Sequence, residues 1–145
     1  MKIQLIYPSS ANPLLDQVYM HEPLALEYLG AGLKQAGHVV EIFDGRIDSN
    51  VEAAFQRFKP DIVGLTAYTS HVGIVTTIAS QLKRMKPNLL MVIGGHHATV
   101  SPQDFNQDMF DLVVIGEGVK AFCEIAESYE AGQGFTAIHG LGIFQ

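Results

Sequence analysis

Three short stretches of this chain are apolar without interruption: Ile62-Val63-Gly64-Leu65, Leu90-Met91-Val92-Ile93 and Leu112-Val113-Val114-Ile115. A strand with one wet face alternates apolar and polar residues, so an unbroken run implies cover on both faces. That is the condition of a parallel sheet with helices above and below. The stretches between these runs carry helical spacing or turn residues. Leu26, Leu29 and Leu33 recur at three and four residues within Leu24 to Ala36, and Gly37 stops that helix. Asn50 caps a helix through Phe58 that Pro60 closes; Gly73 to Met85 forms another, ended before Pro87. A short helical piece follows around Pro102 to Asp108, and Lys120 to Glu130 forms the last helix. Strands are predicted at Lys2 to Tyr7, Val39 to Phe43, Asp61 to Ala67, Leu89 to Ile93 and Asp111 to Ile115. Ser9 to Pro23 reads as a loop that is long for a simple turn, and Ile138 to Phe144 as a short edge strand. Alternation of this kind builds an open, doubly wound α/β domain with a five-stranded parallel sheet.

The 145 residues, 48% of them hydrophobic and 17% charged, suit one globular domain, 1–145. Its apolar last residues suggest that the chain continues in its natural context. Nine Lys and Arg against fifteen Asp and Glu give a formal net charge of −6. No basic stripe exists to neutralise phosphates, which argues against a nucleic-acid surface. Lys83, Arg84 and Lys86 read as the last turn of a helix, where cations favour the dipole. The single cysteine, Cys123, excludes an internal disulfide and fits a cytoplasmic setting. No apolar run reaches membrane-spanning length, and the N-terminus reads as a strand rather than a secretory signal.

In such an architecture ligands sit beyond the C-terminal ends of the strands, so function is read in the loops that follow them. The loop after the first strand, Pro8-Ser9-Ser10-Ala11-Asn12, lacks the G-x-G-x-x-G of a dinucleotide fold. Gly30-Ala31-Gly32 lies inside a helix and cannot replace it. G-x-x-x-x-G-K-[ST] and G-x-S-x-G are absent, and the third strand ends without the carboxylate of a phosphoacceptor domain. What the ends offer are small and hydroxyl residues: Thr66, Tyr68, Thr69, Ser70 and His71 after the third strand; Gly94, Gly95, His96, His97 and Thr99 after the fourth; Gly116, Glu117 and Gly118 after the fifth. This row suits a long, neutral-to-polar ligand. It does not suit a compact anion that needs Lys or Arg, because neither occurs in the row.

Five stretches in register carry a family resemblance: Glu22-Pro23-Leu24-Ala25-Leu26-Glu27-Tyr28-Leu29, Lys34 to Asp44, Pro60 to Thr66, Val92 to Thr99, and Asp111 to Gly118. In these the chain resembles the cobalamin-binding N-terminal domain of cobalamin-type radical-SAM proteins, the group that includes the anaerobic magnesium-protoporphyrin IX monomethyl ester cyclase. The resemblance implies a flavodoxin-like strand order 2-1-3-4-5. It also implies a pocket for the nucleotide tail of cobalamin between the first and third strands. Thr66 matches a tail-contacting serine, and Tyr68 stands, bulkier, where a leucine lines the tail. Gly94 and Gly95 would let the tail pass close to the backbone, and Gly116, Glu117 and Gly118 match the loop after the fifth strand. Ser9, Asn12, Thr69, His71 and His96 complete the candidate cofactor-binding set. The D-x-H-x-x-G whose histidine binds cobalt from below is missing, since Asp16 and His21 lack that spacing. The resemblance therefore implies cobalamin held without a histidine lower ligand. S-adenosylmethionine and a 4Fe-4S cluster would belong to a radical-SAM domain C-terminal to this chain, because three thiolates are needed for the cluster.

The remaining histidines and acids have ordinary readings beside functional ones. His96 and His97 with Glu117 invite a metal site, but adjacent residues point apart and no third ligand is fixed, so no metal site and no catalytic residue is assigned. His71 would approach the upper face of a corrin ring, and His21 is the candidate should a lower cobalt ligand exist. His38 reads as surface. Glu117 reads equally as a cap of the last helix, and Asp44 as a ribose contact or a turn former. The alternative to a cobalamin domain is the same fold used for interaction or substrate docking, its pocket closed by Tyr68. A free-standing α/β enzyme is the third reading, and the sequence shows no nucleophile–base pair to drive it.

Overall fold

The structure is a computed structural model that describes residues 1–18 and 20–142. Five parallel strands form its sheet: β1 (Lys2–Tyr7), β2 (Val39–Asp44), β3 (Ile62–Thr66), β4 (Leu90–Gly94) and β5 (Leu112–Val114). An antiparallel edge strand, β6 (Leu141–Gly142), pairs with β5 and completes the order β2-β1-β3-β4-β5-β6. The expected order 2-1-3-4-5 and the extra edge strand are both present. The part of that expected strand beyond Gly142 lies outside the described residues.

The continuous apolar runs do what double cover requires. Ile62, Leu90, Val92, Leu112 and Val114 face α2 (Leu24–Gln35) and α6 (Gly118–Glu130), while Val63, Leu65, Met91, Ile93 and Val113 face α3 (Val51–Phe58) and α4 (Val72–Met85). Alternate residues of one strand thus enter two separate cores. Asn50 caps α3 by accepting the Ala53 N–H at 3.0 Å. Glu117 caps α6 by accepting the Val119 N–H at 3.3 Å, so its capping role is real. Lys83 pairs with Asp111 at 2.7 Å, and Lys86 donates to the Pro60 carbonyl, which places this basic group at the sheet's N-terminal end.

Three features differ from the sequence reading. The loop after β1 holds a short helix, α1 (Pro13–Val18), begun where Asn12 Oδ1 accepts the Leu14 N–H. The Gly-Gly turn feeds directly into another, α5 (His96–Val100), followed by a 3-10 turn at Pro102–Phe105. Both helices are shorter than two turns, too short to leave a periodic signature. His38 is buried instead of lying at the surface; it sits in the tight turn between α2 and β2, where its N–H bonds the Leu33 carbonyl.

Two glycines separate packing from strain. Gly95 has φ 98° and ψ −172°, a region that side chains essentially never occupy. A Cβ there would stand 2.5 Å from Thr66 Oγ1 and 2.9 Å from the Ala67 nitrogen. Gly116 also has positive φ, 81°, but meets nothing within 4 Å. Gly95→Ala should therefore cost roughly 3 kcal/mol or prevent folding, against about 1–2 kcal/mol for Gly116→Ala. Urea denaturation of both variants measures the difference; equal midpoints would show that the approach of β4 to β3 is not the constraint.

Candidate functional site at the strand ends

A cavity of about 430 Å³ opens at the C-terminal ends of β3, β4 and β5, on the face covered by α2 and α6. Leu26 and Leu29 of α2 form one wall, Val119 and Phe122 of α6 the other, and Gly64, Gly94 and Val114 of the strands form the floor. The two helices are close-packed at Gly32, where a Cβ would come within 2.9 Å of Val119. The cavity lies beside this contact, toward the N-terminal turns of α2. Its volume lies within the roughly 300–1,000 Å³ usual for small-molecule sites. A second cavity of about 470 Å³ lies beside the ends of β1 and β3, lined by Tyr7, His21, Glu22, Pro23, Arg46 and Tyr68 among others. Both cavities share Ala25, Leu26 and Thr66, so they form one cleft in two parts.

The expected residues separate into those that line the cleft and those that build its supports. Thr66, Gly94, Gly95, Gly116, Glu117 and Gly118 line the first cavity, and Thr66 and Tyr68 the second. Tyr68 is about half exposed and is not part of the first cavity's lining, so it does not close it. His96 is exposed, its ring 6.2 Å from that of Tyr68. His71 is turned inward: Tyr7 and Tyr68 meet its ring edge-on at 5.9 and 5.8 Å, and its Nδ1 faces the Tyr68 N–H at 3.4 Å. Thr69 is engaged with buried His97, Oγ1 to Nδ1 at 3.0 Å, while His97 Nε2 meets Asp104 at 2.8 Å. The pair thus straps the β3 loop to α5 and the 3-10 turn. Thr99 likewise accepts the Gly116 N–H at 2.9 Å, tying α5 to the β5 loop. Ser9 lies where its backbone passes against Gly45, and Asn12 begins α1; neither lines the cleft.

Two features add to the sequence reading of this site. Gly95 is required by its own chain, since a Cβ there would strike Thr66 and Ala67, and it also lines the first cavity. And a cation is present at the strand ends. Arg46 follows β2, outside the three loops that the sequence singled out, yet its nearly buried guanidinium lines the second cavity. It donates Nε and Nη2 to Asp44 at 2.9 and 2.7 Å and stacks 4.2 Å from the Tyr7 ring centroid. The Asp-Gly-Arg spacing was the available signal: Asp44 turns the chain by accepting the Arg46 N–H and then holds the same residue's side chain. Burial alone would raise the Asp44 carboxyl, but these bonds from Arg46 outweigh it and hold it below the usual carboxylate range. Burial raises the Tyr7 phenol.

With this geometry in place, the comparisons with known proteins are decisive. The B12 binding domain family matches residues 16–126. The chain belongs to that family. It is 33% identical to an uncharacterized methyltransferase of Pyrococcus horikoshii, over 97% of this chain and 32% of that protein. It is 29% identical to the hopanoid C-3 methylase of Methylococcus capsulatus, over 81% and 24% respectively. Against the anaerobic magnesium-protoporphyrin IX monomethyl ester cyclase of Cereibacter sphaeroides the identity is 26%, over 90% and 22%. The solved radical S-adenosylmethionine methyltransferase TsrM of Kitasatospora setae shares the fold, with a TM-score of 0.82 at 23% identity, over 97% of this chain and 28% of that one. This chain therefore spans about a third or less of the relatives' length, and the part it spans is the B12-binding domain.

Burial also holds the His71 imidazole below its usual value, helped by Arg46 and opposed by Asp16. The unfolded chain then takes up this proton first as pH falls, so stability should decline as pH drops through about 6.5 until His71 protonates in place. Urea midpoints at pH 7.5 and 5.5 should differ, and by less in His71→Phe. An unchanged difference in that variant would show that His71 is not the group responsible.

Proposed function

We propose that this domain holds cobalamin as the cofactor-holding part of a radical-SAM protein. The observation that carries the reading is the two-part cleft, whose first cavity is lined by Gly64 of β3, Gly94 of β4 and, in the loops that follow β4 and β5, Gly95 and Gly116. A Cβ on Gly94 would stand 3.6 Å from the Cβ of Val114 with no closer neighbour, and one on Gly116 would have nothing within 4 Å. Side chains at these positions would occupy the space that a ligand needs, so the residues present fit an elongated group such as the nucleotide tail. Leu26, Leu29, Val114, Val119 and Phe122 would hold that tail, with Thr66 at the junction of the two cavities. Tyr7, Arg46 and Tyr68 would meet the amide-bearing rim of the corrin, Arg46 with a guanidinium that Asp44 keeps fixed. When bound, the corrin supplies the cobalt and its exchangeable axial positions.

We read the lower face as free of histidine. His71 is covered by Tyr7 and Tyr68, and His97 is engaged at both nitrogens. His21 lines the second cavity and is the imidazole to watch. The chain itself does not fit an iron–sulfur cluster: its one cysteine, Cys123, is half-buried in α6, and among the described residues no three His, Cys, Asp or Glu group as metal ligands. S-adenosylmethionine and the cluster are therefore assigned to a further domain, for which the greater length of the relatives leaves room. Among the described residues no helix is long and apolar enough to cross a membrane, and we place the protein in the cytoplasm, where a lone thiol stays reduced.

An absorbance titration with hydroxocobalamin followed by gel filtration tests the proposal. Co-elution with a spectrum lacking an imidazole ligand is expected; a histidine-ligated spectrum would point to His21, and absence of co-elution would sink the reading. Gly94→Val projects onto the cavity face without positive-φ strain, and should keep the fold by circular dichroism while weakening binding at least about tenfold. Normal binding by that variant would mean that the tail lies elsewhere.

A further inference from the structure

The first cavity has a chemical character that its shape alone does not require. Its walls are Leu26, Leu29, Val114, Val119 and Phe122, none of which carries a hydrogen-bonding group. Leu26, Val114 and Phe122 are buried in the α2–α6 core. The floor is backbone already in use: Gly64 and Leu65 sit in ladders with both β1 and β4, and the Gly94 carbonyl accepts the Ala67 N–H at 3.0 Å. The polar side chains of the lining are three, Tyr28, Thr66 and Glu117. Tyr28 and Glu117 are exposed, Glu117 caps α6, and Thr66 lies where the two cavities meet.

Resting on the cobalamin reading above, we infer that this cavity selects corrinoids by their lower base, accepting a methylated benzimidazole and discriminating against a purine. A dimethylbenzimidazole presents a hydrocarbon edge, two methyl groups and one free ring nitrogen. An adenine in the same place presents three free ring nitrogens and an exocyclic amine. Polar groups moved from water against these five apolar side chains lose hydrogen bonds that the side chains cannot replace, whereas methyl groups gain from the same transfer. The two effects act in the same direction. The expected preference for cobalamin over the adeninyl cobamide is therefore about tenfold or more in Kd. Val114, on the floor beside Gly94, is the residue through which the preference can be altered, because threonine has nearly its shape and adds a hydroxyl.

Equilibrium binding of the purified chain to cobalamin, to its adeninyl analogue and to cobinamide, which lacks the base altogether, tests this directly. Cobalamin should bind at least about tenfold more tightly than either of the others, and Val114→Thr should narrow its margin over the adeninyl form to a few-fold while the thermal melt stays cooperative. Equal affinity for cobalamin and the adeninyl form, with cobinamide weaker than both, would overturn the base selectivity and leave the tail pocket standing. Equal affinity for cobalamin and cobinamide would overturn the tail pocket itself, and with it the reading on which the selectivity rests. A Val114→Thr protein that binds cobalamin normally with an unaltered preference would remove the base from the β5 wall.

Discussion

The arrangement of the strand ends depends on how closely β4 can approach β3. Thr66 pairs with Gly94 in the ladder, the Gly94 carbonyl takes the Ala67 N–H, and the Ala67 carbonyl takes the His97 N–H. This chain of bonds passes across Gly95, whose missing side chain is what allows Thr66 and Ala67 to lie against it. The turn into α5 follows, and α5 in turn fixes the β5 loop through Thr99 and the β3 loop through His97. Three loops that border the cleft are therefore referenced to one glycine. The cleft's rigid side is built this way, with hydroxyl and imidazole groups spent on the scaffold and small residues left facing the ligand space.

The opposite side is governed by helix spacing. Gly30 of α2 lies over Leu5, Val40 and Ile42, and Gly32 lies against Val119 and Cys123, so α2 sits close to the sheet and to α6 at once. Leu26 and Leu29, one to two turns earlier in α2, line the cavity together with Val119 and Phe122 of α6. The same Gly-Ala-Gly that fails as a phosphate-binding loop thereby sets where the cavity closes, and the aromatic ring of Phe122 on Gly64 marks its bottom.

This division explains what the sequence made legible. Strand positions, the two-sided cover and the cap residues Asn50 and Glu117 follow from local patterns, because unbroken apolar runs and capping carboxyl or amide groups have few other uses. The glycines and Thr66 at the strand ends were legible for a similar reason. Arg46 was not, since its importance lies in the ion pair with Asp44 and the stacking on Tyr7, and the latter is made 39 positions away in sequence by β1–β2 pairing. His71 and His97 were ambiguous because an imidazole after a strand looks the same whether it faces a ligand or a neighbouring loop. Tyr7 and Tyr68 cover His71, and Phe105 and Asp104 of a 3-10 turn too short to announce itself hold His97.

The two halves of the cleft differ in how they can discriminate. Around the second cavity a fixed guanidinium, two phenols and an exposed imidazole surround a rim open to water, where a hydrogen bond gained by a ligand replaces one lost to solvent and the net gain is small. The first cavity is walled on both helices by apolar side chains, so a polar atom seated against them gives up water and gains no side-chain partner in return. Discrimination is therefore expected from the half that makes the fewest specific bonds, while the half that makes the most supplies orientation. A cofactor with an amide-rich ring at one end and an apolar aromatic base at the other matches that asymmetry. The match follows from where this chain has placed its groups: Asp44 and Arg46 beside the ring end, and the apolar Leu26, Leu29, Val114, Val119 and Phe122 around the other.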